Sequence, residues 1–68
     1  MRKISYYILG WYDEGDTNRS EVLWKGTNLK EARITFNSII FADNLFFVEC
    51  WETCPDYDED VRLEYKFA

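Results

Sequence analysis

Two segments of this chain are apolar on both of the faces that a β-strand presents. They are residues 4–12 and 45–53, each rich in aromatic and β-branched side chains. A strand with one face in water alternates apolar with polar residues, whereas a strand covered on both sides does not. Both segments are therefore predicted to be interior strands of a sheet. Since a chain of 68 residues is long enough for only one domain, residues 1–68 are predicted to form a single domain that contains this sheet.

Two further segments have the composition of outer strands. A polar loop over residues 13–19 precedes residues 21–26, which are predicted to pair with the first strand as a hairpin. In residues 61–67, apolar side chains alternate strictly with charged ones. This last segment is predicted to be a strand with one face in water.

One amphipathic helix is predicted between the two pairs of strands. Asn28 and Glu31 are spaced as in a capping box, in which each side chain satisfies a free backbone amide at the helix start. The helix is expected to end near Ala42, because Asp43 and Asn44 tolerate left-handed backbone geometry. One continuous stripe is apolar and is expected to pack on the sheet: Leu29, Ala32, Phe36, Ile39 and Ile40.

The element order determines the predicted fold class. A β-β-α-β-β chain with two hairpins joined by one helix forms a four-stranded antiparallel sheet when strand 3 lies beside strand 1. The strand order is then 2-1-3-4, which places the two segments that are apolar on both faces in the middle. We predict a single small α+β domain with one helix packed on one face of the sheet.

The composition excludes several classes of chemistry. The chain has no histidine and only three glycines, which removes the parts for most catalytic triads, zinc sites and phosphate-binding loops. Cys50 and Cys54 would lie about 13 Å apart in an extended segment, too far for a disulfide, and free thiols suit a reducing cytoplasm. Acidic neighbours would raise a thiol pKa, so nucleophilic cysteine chemistry is not expected. The sequence predicts a protein that is not an enzyme and has no cofactor or metal.

Negative charge is concentrated in the C-terminal part. Residues 43–68 hold two basic and eight acidic side chains, net −6, while residues 1–42 hold six and five, net +1. This sign disfavours direct binding of nucleic acid or of an anionic membrane and favours a basic partner. No apolar stretch approaches the roughly 20 residues that span a bilayer.

An acidic segment at residues 54–60 is the first candidate site. Asp56, Asp58 and Asp60 match the first three oxygen-ligand positions of a calcium loop. Val61 and Phe67, however, occupy the positions of the required glycine and glutamate, so calcium binding by that motif is rejected. If the segment is extended, its charges form a regular row that could imitate a nucleic-acid backbone. The predicted contributors are Asp56, Asp58, Glu59 and Asp60, with Glu49, Glu52 and Glu64 widening the row. A solvated turn that keeps the protein soluble explains the same residues.

The second candidate site is the sheet face that the helix leaves uncovered. Tyr7, Trp11, Phe47 and Trp51 are predicted to lie there and to serve as anchors for a partner. The alternative is that the same face pairs with itself in a homodimer. Base stacking on such a sheet would need basic surroundings and a recognisable motif, and the sequence has neither.

These features together predict a small acidic protein-binding module that docks on a basic protein surface, such as that of a nucleic-acid-binding protein. Small size, acidity and abundant aromatic residues resemble, as a class, the phage-encoded inhibitors that occupy nucleic-acid channels, anti-CRISPR and anti-restriction proteins among them. The resemblance covers no motif and assigns no residue. It implies a location in the cytoplasm, that of the bacterial host if the chain is phage-encoded. The alternative is a structural or regulatory homodimer of bacterial or phage origin whose acidity serves only solubility.

Overall fold

The computed structural model describes residues 3–68 and confirms the predicted order and topology. Its elements are β1 (Ser5–Asp13), β2 (Asn18–Gly26), α1 (Leu29–Ser38), β3 (Leu45–Thr53) and β4 (Val61–Phe67). The strands form one antiparallel sheet in the order β2-β1-β3-β4, so the two strands with apolar residues on both faces are interior, as predicted. Met1 and Arg2, which the predicted domain includes, lie outside the described residues.

The core lies between α1 and one face of the sheet. Ile8, Val48 and Cys50 from the central strands are fully buried, and Ala32 and Phe36 project from the helix onto them. The shortest principal dimension of the Cα trace is 14 Å. Because two packed layers lie about 10 Å apart, this thickness holds one sheet and one helix and leaves the second sheet face uncovered.

The helix begins where predicted but ends earlier. The Asn28 side chain accepts a hydrogen bond from the backbone N–H of Glu31 (3.0 Å), which confirms the predicted cap. The predicted end near Ala42 is wrong, because Ile39 is already extended and its N–H bonds to the Phe36 carbonyl. Four residues follow before the turn into β3, and Ile40, predicted to lie on the buried stripe, is 82% exposed.

The turn after the helix retains one predicted feature. Asp43 has a positive φ of 55°, the left-handed geometry expected of this position. It does not cap the helix. Asp43 instead lies in a turn closed by the Leu45 N–H and the Ala42 carbonyl, and this turn directs the chain into β3.

The prediction that all apolar side chains of β4 project to one face is wrong. A register shift opposite Cys50 and Trp51 leaves Leu63 as an extra residue, so Leu63 and Glu64 both lie on the helix side. Beyond the bulge, Tyr65 and Phe67 pair with β3 residues on the uncovered face, while Lys66 lies on the helix side. Strict alternation would have placed all apolar residues of β4 on one face.

Lys66 has a structural partner at the end of the helix. Its Nζ donates to the Phe36 carbonyl (2.8 Å) and lies 4.9 Å from the centre of the Phe36 ring. The last turn of α1 contains no basic residue of its own. A cation from β4 therefore satisfies a terminal carbonyl and complements the negative end of the helix dipole.

Candidate binding face

The sheet face opposite the helix, termed the open face, consists of three rows of side chains that cross all four strands. The rows are Lys25, Tyr7, Trp51 and Arg62; Val22, Leu9, Glu49 and Tyr65; and Ser20, Trp11, Phe47 and Phe67. Residues that pair directly across an antiparallel sheet project to the same side, which fixes these sets. The four predicted anchors lie together here, although Val22, Tyr65 and Phe67 were not predicted.

The rings on the open face form two groups. Tyr7 and Trp51 lie parallel, with centroids 6.3 Å apart, in the first row. Phe47 is 4.5 Å from the ring of Phe67 and 6.0 Å from that of Tyr65 in the second group. Phe67 is 66% exposed, the most of these rings. Such contacts between rings on a sheet hold large apolar side chains in place while one side of them stays in water.

A carboxylate in the middle row of the open face ties Trp11 to Arg62. Glu49 is only 6% exposed, and its oxygens accept hydrogen bonds from Trp11 Nε1 (2.8 Å) and the Arg62 guanidinium (3.1 Å). The Arg62 guanidinium also lies 4.4 Å from the centre of the Tyr65 ring. Because a buried charge must be paired, Glu49 restricts where the indole and the guanidinium can lie. The sequence pattern predicts Glu49 only as part of an acidic row and contains no sign of this role.

The acidic loop, residues 54–60, adjoins the first row of the open face. The Tyr7 hydroxyl donates to Asp60 Oδ2 (2.6 Å), so an aromatic anchor and a loop carboxylate are in direct contact. Hydrogen bonds from Thr53 and Tyr7 lower the pKa of Asp60, which keeps its negative charge at the edge of the face. The loop is not an extended row, because the Tyr57 N–H bonds to the Cys54 carbonyl in a turn.

The predicted acidic residues do not all lie on one surface. Asp58, Glu59 and Asp60 are exposed in the loop, as is Asp56. Glu52 and Glu64 pair with Tyr6 and Cys50 and so project to the helix side, away from Glu49. Glu52 accepts a hydrogen bond from the Tyr57 hydroxyl, which fixes the other end of the loop. Among the predicted acidic residues, those next to the open face are therefore the loop carboxylates and Glu49.

Tyr7 and Tyr57, which hold the acidic loop through hydrogen bonds, should lose their phenolic protons only at unusually high pH. Partial burial and the hydrogen bond to Asp60 raise the pKa of Tyr7 to about 12, and the bond to Glu52 raises the pKa of Tyr57 to about 12. A raised pKa in the folded state contributes stability that is complete below pH 10 and is lost as the pH rises towards 12. Ultraviolet titration of tyrosinate absorbance should therefore show Tyr7 still protonated at about pH 11.

A matched pair of variants tests this assignment. Asp60→Ala removes the acceptor and should lower the pKa of Tyr7, whereas Asp58→Ala, in the same loop, should leave the titration unchanged. A Tyr7→Phe variant identifies the contribution of this phenol. Identical curves for the two alanine variants would show that Asp60 does not hold Tyr7.

The cysteines belong to the core. Cys50 and Cys54 are both free, as the sequence predicts, and both are buried. Burial, followed by the nearby charge of Glu64, raises the pKa of the Cys50 thiol, so the nucleophilic thiolate is disfavoured. Within residues 3–68, no group of three or more metal-ligating side chains is placed to hold an ion.

Comparison with known proteins does not assign the chain to a family. Its sequence matches no protein-family model, and no curated protein or solved structure shows significant similarity to it. Among the described residues, no helix has the length and apolar character needed to cross a membrane. The fold and the open face therefore define an α+β protein with one uncovered aromatic sheet face bordered by an acidic loop.

Proposed function

We propose that this protein is a non-catalytic binding module that docks its open face on a basic protein surface, of the kind that lines a nucleic-acid channel. The rings of the open face supply the contact area, and the acidic loop supplies the attraction. Tyrosine and tryptophan are the side chains that most often dominate the energy of protein interfaces. An inhibitor that occupies the nucleic-acid site of its target is the role we assign to such a module.

The contact between Tyr7 and Asp60 is the observation that carries this proposal. It joins a ring of the open face to a carboxylate of the acidic loop at 2.6 Å. A partner that covers Tyr7 and Trp51 must then approach Asp60 as well. A cationic group at that point would find a carboxylate that is already fixed in position, which reduces the entropy lost on binding.

The two surfaces would act at different stages of association. Exposed loop charges act over about a Debye length, roughly 8–10 Å at physiological salt, and accelerate encounter with a basic surface. The rings act only on contact, where water is excluded from around them. The chain carries a net charge of −5, so this long-range attraction selects basic partners.

Salt and nucleic acid should both weaken partner binding. We expect duplex DNA to release a bacterial partner protein that this chain has captured at low salt. The affinity of that partner for the chain should fall about tenfold or more between roughly 50 and 500 mM salt. Titration of the purified captured protein by calorimetry measures both effects. An affinity that does not change with ionic strength would refute docking on a basic nucleic-acid site. A complex that binds DNA without releasing the partner would refute it as well.

A further inference from the structure

The open face carries a charge balance that differs from that of the whole chain. Within its three rows the charged side chains are Lys25, Glu49 and Arg62, net +1, although the chain as a whole is −5. Glu49 and Arg62 already neutralise each other on the face. Asp60 lies at one end of the strands and Asp13 at the other. A second copy that covers the rings therefore approaches one loop carboxylate, that of Asp60, which already accepts a hydrogen bond from the Tyr7 hydroxyl.

The size of the open face is sufficient for a specific interface. The whole sheet face, including the strand ends beyond the three rows, measures about 500 Å² per copy, because it holds four strands about 4.8 Å apart and about eight residues long at roughly 3.3 Å each. Two copies would bury about 1,000 Å², the lower bound for specific protein interfaces. Val22 and Phe67, two exposed apolar residues of the face, lie on the two outer strands, so the apolar surface extends across the full width of the sheet.

We infer that, in the absence of a partner, the open face is covered by a second copy of this chain in a two-fold, face-to-face dimer. Two sheets that pack in this way form a sandwich whose inner side chains interdigitate. The dimer is a resting state that hides the rings, with Asp60 at its edge and the exposed carboxylates of Asp58 and Glu59 in water. This inference rests on the proposed function in one respect, since the partner must displace the second copy to reach the face.

Sedimentation equilibrium of the purified protein tests the dimer without any partner. We expect the mass to rise from 8.2 kDa towards twice that value, with half-dissociation on the order of 10 μM. Tryptophan emission should shift to shorter wavelength over the same concentrations, because Trp11 and Trp51 lie on the open face. A mass of 8.2 kDa at every concentration up to about 1 mM would overturn the inference.

Two double variants locate the interface. Val22→Ser with Phe67→Ser removes exposed apolar side chains from the open face and should raise the dissociation constant about tenfold or more. Ile34→Ser with Ile40→Ser removes comparably exposed side chains elsewhere and should leave it unchanged. Circular dichroism confirms that each variant is folded. If only the isoleucine double variant loses the dimer, or if neither double variant weakens it, the interface lies elsewhere and the inference is overturned.

The dimer and the proposed function can fail separately. A monomer whose partner binding still depends on salt would refute the dimer and leave the proposed function intact. A dimer of this face that stays intact when the captured partner saturates it would refute displacement, and with it the resting-state role.

Discussion

Replacing Asp58 and Glu59 with lysine should weaken binding of the basic partner by about 100-fold. The two substitutions change the net charge of the chain from −5 to −1, because each adds two positive units. Each unit of charge next to a basic surface is worth roughly 0.5–1 kcal/mol in water, so four units give about 2–4 kcal/mol, and the middle of that range is roughly two orders of magnitude in affinity. Most of the loss should be in the association rate, which stopped-flow measurements at low salt resolve.

Asp58 and Glu59 are the appropriate positions because both are exposed and, within residues 3–68, neither side chain forms a hydrogen bond or salt bridge that holds the fold together. Asp60 is left in place to preserve its bond to Tyr7. The matched control compares single reversals: Asp58→Lys in the acidic loop with Asp16→Lys in the exposed loop between β1 and β2. Equal losses for the two would mean that only total charge matters and that the acidic loop has no particular position in the complex.

Replacing Ile8 with alanine should unfold a large part of the protein population. Ile8 is 0% exposed on the central strand β1, where it packs against the helix residues Ala32 and Phe36. Isoleucine-to-alanine changes in cores cost about 2–5 kcal/mol. A 68-residue domain is stable by only about 3–10 kcal/mol, so the loss is comparable to the total. Urea denaturation followed by tryptophan fluorescence gives the change in free energy of unfolding.

The exposed helix residue Ile34 provides the control for this experiment. Ile34→Ala removes the same atoms from a side chain that lies mostly in water and should change stability by less than about 0.5 kcal/mol. A cost for Ile8→Ala as small as that for Ile34→Ala would contradict the position of the core between α1 and β1.

The strand order could be predicted because β1 and β3 carry apolar residues on both faces along most of their length. That pattern is typical of interior strands. The helix start was also predictable, since the Asn28 side chain caps it through a local hydrogen bond from the backbone N–H of Glu31. Four anchors of the open face followed from the same alternation. In each case the signal arises within a few residues.

The end of the helix could not be predicted in this way. Residues 39–42 continue a helical apolar pattern, and nothing local stops the helix at Ser38. The chain must instead leave the helix early enough to reach the start of β3, whose pairing with β1 is fixed across the sheet. The tertiary position of β3 therefore outweighs the local preference of Ile39 and Ile40.

The composition of the open face was also only partly predictable. Tyr65 and Phe67 belong to it because a bulge at Leu63 reverses the direction of the side chains that follow. The ties from Glu49 to Trp11 and Arg62 join residues 38 and 13 positions apart in the sequence. A single residue shift between strands changes which face a side chain occupies, and alternation within one strand contains no information about such shifts.

By itself, the sequence determined the elements, the interior strands and the excess of negative charge near the C-terminus, because these depend on side-chain type and short-range spacing. The tertiary structure decided which rings share the open face, that Asp60 touches Tyr7, and that Glu52 and Glu64 project to the opposite side. These contacts depend on strand register and on where bulges fall, and both are set by the packing of all four strands against one helix.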